Sequence, residues 1–203
     1  MLASRKITIL SLDPGTKNYG YSVIEFDSSS KIRLKKAGRL FSTVHKLNQD
    51  LMGQIAGYSA AIHNLIDEHS VTLIIAERYM SRRMGGTTIE CVNAMLGVLM
   101  EICQSRGLRL KLIPASQWKN DVERQREGQL PELYQEGKAN KITPHTIDAV
   151  MIGLYGRSAA LGIKAFRGVR TEGFIRALLK TGIEDIGSPI VDIKKKRKRR
   201  AKN

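Results

Sequence analysis

Lys6-Ile-Thr-Ile-Leu-Ser-Leu-Asp13, then Pro14-Gly15-Thr16-Lys17-Asn18, then Tyr19-Gly-Tyr-Ser-Val-Ile-Glu-Phe26, is the stretch on which the fold turns. An apolar run of strand length ends on an acid, a turn-forming cluster follows, and a second run returns. Connections this tight join antiparallel neighbours, and Ile32 to Phe41 extends the meander by a third strand. From about His45 to His69 the period changes. Leu47, Leu51, Ile55, Tyr58, Ile62 and Leu65 recur at three and four residues, as on one face of a helix. Val71-Thr-Leu-Ile-Ile-Ala-Glu77 is again apolar and again ends on an acid, the pattern of a buried central strand.

Beyond Glu77 lies a basic loop with glycines, Arg78-Tyr-Met-Ser-Arg-Arg-Met-Gly-Gly86. A helix is expected from about Thr88 to Arg106, closed by Gly107, and a fifth strand from Leu108 to Ile113. Ser116 caps a short helix through Val122. Residues 123–141 are polar and read as an irregular, mobile segment. Thr143-Pro144, a cap followed by proline, opens a helix carrying His145 and Asp148 to about Tyr155, and Thr171 caps another. The order describes an α/β domain, a mixed five-stranded sheet flanked by helices.

The chain has 203 residues, 42% of them hydrophobic, and carries 34 Lys and Arg against 19 Asp and Glu, a formal charge of +15. Such a surplus points to a polyanionic partner. Lys194 to Asn203 hold eight of the basic residues, and removing those eight charges from +15 still leaves +7 on the body. The apolar runs are too short to cross a bilayer, so no membrane is expected as a partner. Met-Leu-Ala-Ser-Arg-Lys has no apolar core of signal-peptide length behind it. Cys91 and Cys103, twelve apart in an apolar helical stretch, read as buried reduced thiols. A soluble protein of a reducing compartment is expected.

Asp13 and Glu77 close the first and fourth strands, where α/β sheets gather functional residues. His145 and Asp148, three apart, project from one side of their helix. If that side turns to the strand ends, three carboxylates and an imidazole converge. Acids so close repel, and oxygen-rich sites of this kind suit Mg²⁺ or Mn²⁺. Two such ions about 4 Å apart support in-line attack on a phosphodiester. Taken singly, each acid also has an ordinary reading: Asp13 opening a turn, Glu77 facing solvent, Asp148 paired with a base.

Ser11-Leu-Asp-Pro-Gly-Thr-Lys-Asn-Tyr-Gly-Tyr-Ser-Val-Ile-Glu25 resembles the first motif of RuvC-type Holliday junction resolvases of the RNase H-like superfamily. Leu73-Ile-Ile-Ala-Glu77 is similar to their second. Pro114-Ala-Ser-Gln-Trp-Lys-Asn-Asp-Val122 resembles the segment supplying a family lysine, here Lys119. His145-Thr-Ile-Asp148-Ala-Val resembles the closing motif, and the likeness spans roughly residues 6–160. The resemblance implies an RNase H-like nuclease domain over 1–160. Beyond it, the residues themselves read as a helical extension over 161–193 and a basic tail over 194–203, too charged to fold alone and expected to be disordered. The resemblance also implies a homodimer that nicks opposed strands of a four-way DNA junction with two Mg²⁺ per site. Asp13, Glu77, His145 and Asp148 would hold the metal, with Lys119 beside the scissile phosphate. Tyr79 falls where relatives carry an aromatic wedge, one residue nearer the acid. Compact resolvases of this type occur in bacteria, viruses and organelles, and the cytoplasm of a bacterial or phage-infected cell is the expected place for this chain, with nucleus and organelle open. Any recombination or branch-migration partner is unspecified.

Arg78, Arg82 and Arg83 flank the expected cleavage centre and either contact phosphates or form a solvated loop. Trp118 is expected as a core anchor. The helix bearing Met95, Leu96, Leu99, Met100 and Ile102 either covers the sheet or also offers a dimer face. The basic tail wraps DNA, serves as a nuclear address, or only solubilises. Three other functions share parts of the pattern. One is an RNase H-like nuclease acting on RNA–DNA hybrids or branched DNA, another a non-catalytic DNA-binding protein. The third, an actin-like ATPase, would need a second lobe.

Overall fold

The computed structural model describes residues 6–15, 18–26, 32–41, 51–79, 86–126, 130–161, 178, 180 and 183–186. β1 (Ile7–Asp13), β2 (Asn18–Phe26) and β3 (Ile32–Phe41) form the antiparallel meander. α1 (Leu51–His69), β4 (Leu73–Arg78), α2 (Gly86–Ser105) and β5 (Arg109–Pro114) follow. Then come α3 (Ala115–Arg126), α4 (Leu130–Ala139), α5 (Pro144–Leu161) and β6 (Ile183–Ile186). The sheet order is β5-β4-β1-β2-β3-β6, with β4 parallel to both β1 and β5. The expected five-stranded mixed sheet is therefore present, and β6 lengthens it by pairing parallel to β3. No helix among the described residues is long and apolar enough to cross a membrane.

Two expectations need correction. Ile183–Ile186 falls inside the stretch expected to be helical, yet it is a strand: isoleucines at both ends suit a sheet, and the outer edge of β3 offers backbone partners. The segment 123–141 is largely helical rather than irregular. Leu133, Tyr134 and Gly137 recur at one helical face, with Leu133 and Gly137 buried. Three apolar or small positions suffice to seat a short helix whose remaining surface is polar. The basic tail, the loop bearing Arg82 and Arg83, and most of the helix expected from Thr171 lie outside the described residues.

Strand alternation sorts the core into two layers. Leu10 and Leu12 of β1 and Ile74 and Ala76 of β4 face α1 and α2, which cover them with Ile62, Leu65, Met95 and Leu99. Cys91 and Cys103 are buried there as free thiols. Ile9 of β1 and Ile75 of β4 face the other way, against Trp118, Leu133, Ile147 and Met151 of α3, α4 and α5. Counting on by twos puts Asp13 and Glu77 on that second face. β1 and β4 pair through Leu12 and Ala76, so one further step in register sets the two acids side by side.

α5 is the helix that answers them. It is buried continuously from Thr146 to Leu154, as a helix lodged between layers must be. Its approach to the sheet depends on missing side chains. A Cβ at Gly20 would lie 2.0 Å from the carbonyl oxygen of His145, and one at Gly153 would lie 2.6 Å from Ser11 Oγ. Ser11 and Ser22 share a hydrogen bond of 2.6 Å, and Ser22 donates to the Ala149 carbonyl. These small residues close the gap without leaving a buried hydroxyl unpaired. Gly20→Ala is expected to push the start of α5 off β2 and destabilise the fold by about 1–3 kcal/mol. Chemical denaturation checks this, and a wild-type midpoint would contradict the close contact.

Candidate active site

The carboxyl ends of β1 and β4, the first turns of α5 and the adjacent faces of α3 and α4 meet at one place. Asp13 and Asp148 are buried there, at 5% and 8% exposure. His145 Nδ1 donates to Asp13 Oδ2 at 2.6 Å. Trp118 Nε1 donates to Glu77 Oε2 at 2.8 Å. Lys119, the next residue, turns its Nζ to Asp148 Oδ2 at 3.4 Å while lying 4.9 Å from the centroid of the Trp118 ring. The second oxygen of Asp148 accepts from the Tyr134 hydroxyl. Every expected acid thus has a protein donor on at least one oxygen.

The charges are strongly coupled. Glu77 is pushed up to about 7, chiefly by burial and then by the charge of Asp13, against the lowering pull of Trp118 and Lys119. Asp148 is raised by burial and by Asp13, while Tyr134 and Lys119 oppose that rise. His145 is raised mainly by its hydrogen bond to Asp13. Near neutrality, then, protons and two basic side chains offset three acids. A divalent cation is a natural competitor for the same role, and the donors (six carboxylate oxygens and one imidazole) match hard-cation chemistry. Among the described residues no three His, Cys, Asp or Glu close on a single point as a finished cage would. The side chains instead lie paired with Trp118, Lys119, Tyr134 and each other, so coordination requires Lys119 to withdraw.

Asp13, Glu77, Lys119, His145 and Asp148 are brought together as the sequence reading expects. Arg78 follows Glu77 at the exposed end of β4, and Tyr79 is partly buried beyond it. Arg82 and Arg83 lie outside the described residues. Two participants were not anticipated. Trp118 is the expected core anchor, fully buried, but its indole N–H also serves Glu77. Tyr134 sits in the segment read as irregular, and only its place beside Leu133 and Gly137 on a helical face hinted that it points inward.

A profile of the family described as "Crossover junction endodeoxyribonuclease RuvC" matches residues 9–127. That span contains Asp13, Glu77 and Lys119 and stops before Tyr134, His145 and Asp148, which the fold delivers to the same cleft. Among solved structures, Thermus thermophilus RuvC in complex with a Holliday junction substrate is similar, at 15% identity and a TM-score of 0.60, over 77% of this chain and 97% of that one. The yeast mitochondrial Holliday junction resolvase Ydc2 is similar at 14% identity and a TM-score of 0.53, over 71% of this chain and 75% of that one. These likenesses show a shared fold. A search of curated proteins finds no match.

Two outcomes are expected from this electrostatic arrangement. Without divalent cations, the folded chain keeps a proton on Glu77 up to about pH 7, whereas a solvated glutamate releases it near 4.5. The native state therefore binds more protons across that window, and stability falls as pH rises through it. The raised Asp148 and His145 act in the same direction. Thermal melts in chelator should show that decline, Glu77→Gln should flatten it, and added Mg²⁺ should stabilise more at pH 8 than at pH 6. Tyr134→Phe removes a donor that favours ionised Asp148, so it should lower cleavage roughly tenfold. It should also move the acidic limb of the pH–rate profile to higher pH, and an unmoved limb would show that the bond has no influence.

Proposed function

Because the chain belongs to the RuvC family of crossover junction endodeoxyribonucleases, we propose that the cleft formed by Asp13, Glu77, His145 and Asp148 cuts opposed strands of four-way DNA junctions with two divalent cations. Mg²⁺ is the metal we assign, with Mn²⁺ as a substitute. The observation that carries this reading is the convergence of three carboxylates from two adjacent strand ends and α5, with an imidazole and an ammonium beside them. When bound, the cations supply Lewis-acid stabilisation of charge developing on the scissile phosphate.

The protein's own groups do the rest. Asp13 and Asp148, buried and each held by a donor, are fixed in direction before any ligand arrives. Trp118 and Tyr134 keep Glu77 and Asp148 from rotating away. Lys119, displaced from Asp148, is free to donate to a non-bridging phosphate oxygen and offset its charge. His145, half-exposed and oriented by Asp13, serves as a nitrogen ligand or holds the attacking water by its other ring nitrogen. Arg78 stands where the flanking backbone would pass, with Arg82 and Arg83 four and five positions further along the chain. These contacts position the strand without reading its bases. Paired nicking of opposed strands calls for two such sites related by a two-fold axis, hence a homodimer. Met100 of α2, exposed at 55%, is the one large apolar side chain left uncovered among the described residues.

The test is cleavage of a labelled mobile junction, compared with duplex DNA and an RNA–DNA hybrid. Asn or Gln in place of Asp13, Glu77 or Asp148 should reduce Mg²⁺-dependent cleavage by on the order of a hundredfold or more while leaving junction binding, which rests on Lys and Arg, in place. His145→Asp should retain much of the activity and His145→Ala little of it. Full activity in Asp148→Asn would refute the site, and preference for the hybrid would move the chain to another substrate class.

A further inference from the structure

A cleft of about 520 Å³ opens between α4 and the first turn of α5, with Tyr134, Lys138, Lys141, Ile142 and Pro144 among its walls. It lies beyond the residues that match the family profile. It also adjoins the site described above. The Tyr134 hydroxyl serves Asp148, and Pro144 precedes His145. Lys138 and Lys141 are exposed, and neither forms an ion pair among the described residues.

Lys141 occupies an unusual backbone position. α4 ends with the Ile142 N–H bonded to the Gly137 carbonyl at 2.8 Å and the Lys141 N–H bonded to the Lys138 carbonyl at 3.2 Å. That pair of bonds requires the residue after the cap to be left-handed, and Lys141 has φ 60°. α2 closes with the same two bonds, from Leu108 to Cys103 and from Gly107 to Gln104, and there glycine takes the strained place at φ 62°. At the end of α1 the left-handed residue is Ser70, with a short side chain. Among the described residues, only α4 puts a long cation there, at a position where glycine would be the more stable choice.

We propose that this cleft is a subsite for the DNA strand next to the scissile phosphate, with Lys138 and Lys141 holding backbone phosphates and the Tyr134 ring and Pro144 lying along the sugars. The inference rests on the nuclease reading above and extends it to a surface outside the carboxylate cluster. A strand is the occupant because the cationic rim leads directly to Asp148 through Tyr134. The apolar walls suit deoxyribose, and the lysine stems add to them. Strain at Lys141 is kept because its side chain binds a phosphate there.

The test compares wild type with Lys141→Gly, Lys141→Arg, Lys138→Gln and Lys111→Gln, the last an equal loss of charge on β5. Junction affinity is measured in chelator over a range of salt, together with thermal melting. Lys141→Gly should melt about 1–3 °C higher, because glycine relieves the left-handed strain. It should nonetheless bind the junction roughly three- to tenfold more weakly, with about 0.9 lost from the log–log salt slope. Lys138→Gln should lose a similar amount without melting higher, Lys141→Arg should bind like wild type, and Lys111→Gln should change little. A Lys141→Gly protein that melts higher yet binds with wild-type affinity and slope overturns the proposal, as does an equal loss in Lys111→Gln. Failure of the nuclease reading looks different: wild type itself would then neither prefer nor cut the junction in Mg²⁺.

Discussion

The seating of α5 against β1 and β2 is the constraint from which the rest follows. A helix that close to a sheet needs residues with little or no side chain at the contact, and Gly20, Gly153, Ser11 and Ser22 are those residues. The approach fixes the height of the first turn of α5 above the strand ends. Only at that height does the imidazole of His145 meet Asp13 while Asp148, one turn on, reaches the same cleft. An ordinary helix-on-sheet separation would leave two acids on the strands and a third out of reach.

Bringing those acids together has an electrostatic consequence that the neighbouring elements manage. Burial and mutual repulsion raise Glu77 and Asp148, and the protein responds with one neutral donor on each. Trp118 and Tyr134 suit this role because an indole or phenol favours the ionised acid without cancelling its charge. Lys119 is different in kind. It is a mobile charge on a long stem, able to leave Asp148 when a cation or phosphate enters. Rigid neutral donors and one mobile cation together keep the carboxylates aimed and still available.

Much of this was legible in the sequence, for reasons that differ by element. Near-continuous apolar runs in Ile7–Asp13 and Leu73–Arg78, with an acid at or near the end of each, mark two buried strands and put Asp13 and Glu77 at their carboxyl ends. The cap and proline at Thr143-Pro144 mark the start of α5. The residues that escaped notice are those whose role arises only from packing. Trp118 reads as a core residue and is one, and nothing in its surroundings says that its N–H meets a carboxylate 41 positions away. Tyr134 lies in a helix so polar that three inward positions are its whole signal. β6 is four residues long and is a strand only because β3 offers it an edge.

Trp118 is also the only tryptophan in the chain, and its indole is bonded to Glu77. Intrinsic fluorescence excited at the red edge therefore arises from a single emitter that belongs to the site. Whatever takes Glu77 away from that bond, a proton or an arriving ion, changes the local field at the ring and with it the emission. The unlabelled protein is thus its own optical probe, able to follow loading of the cleft in a stopped-flow mixing device with no dye attached and no residue replaced.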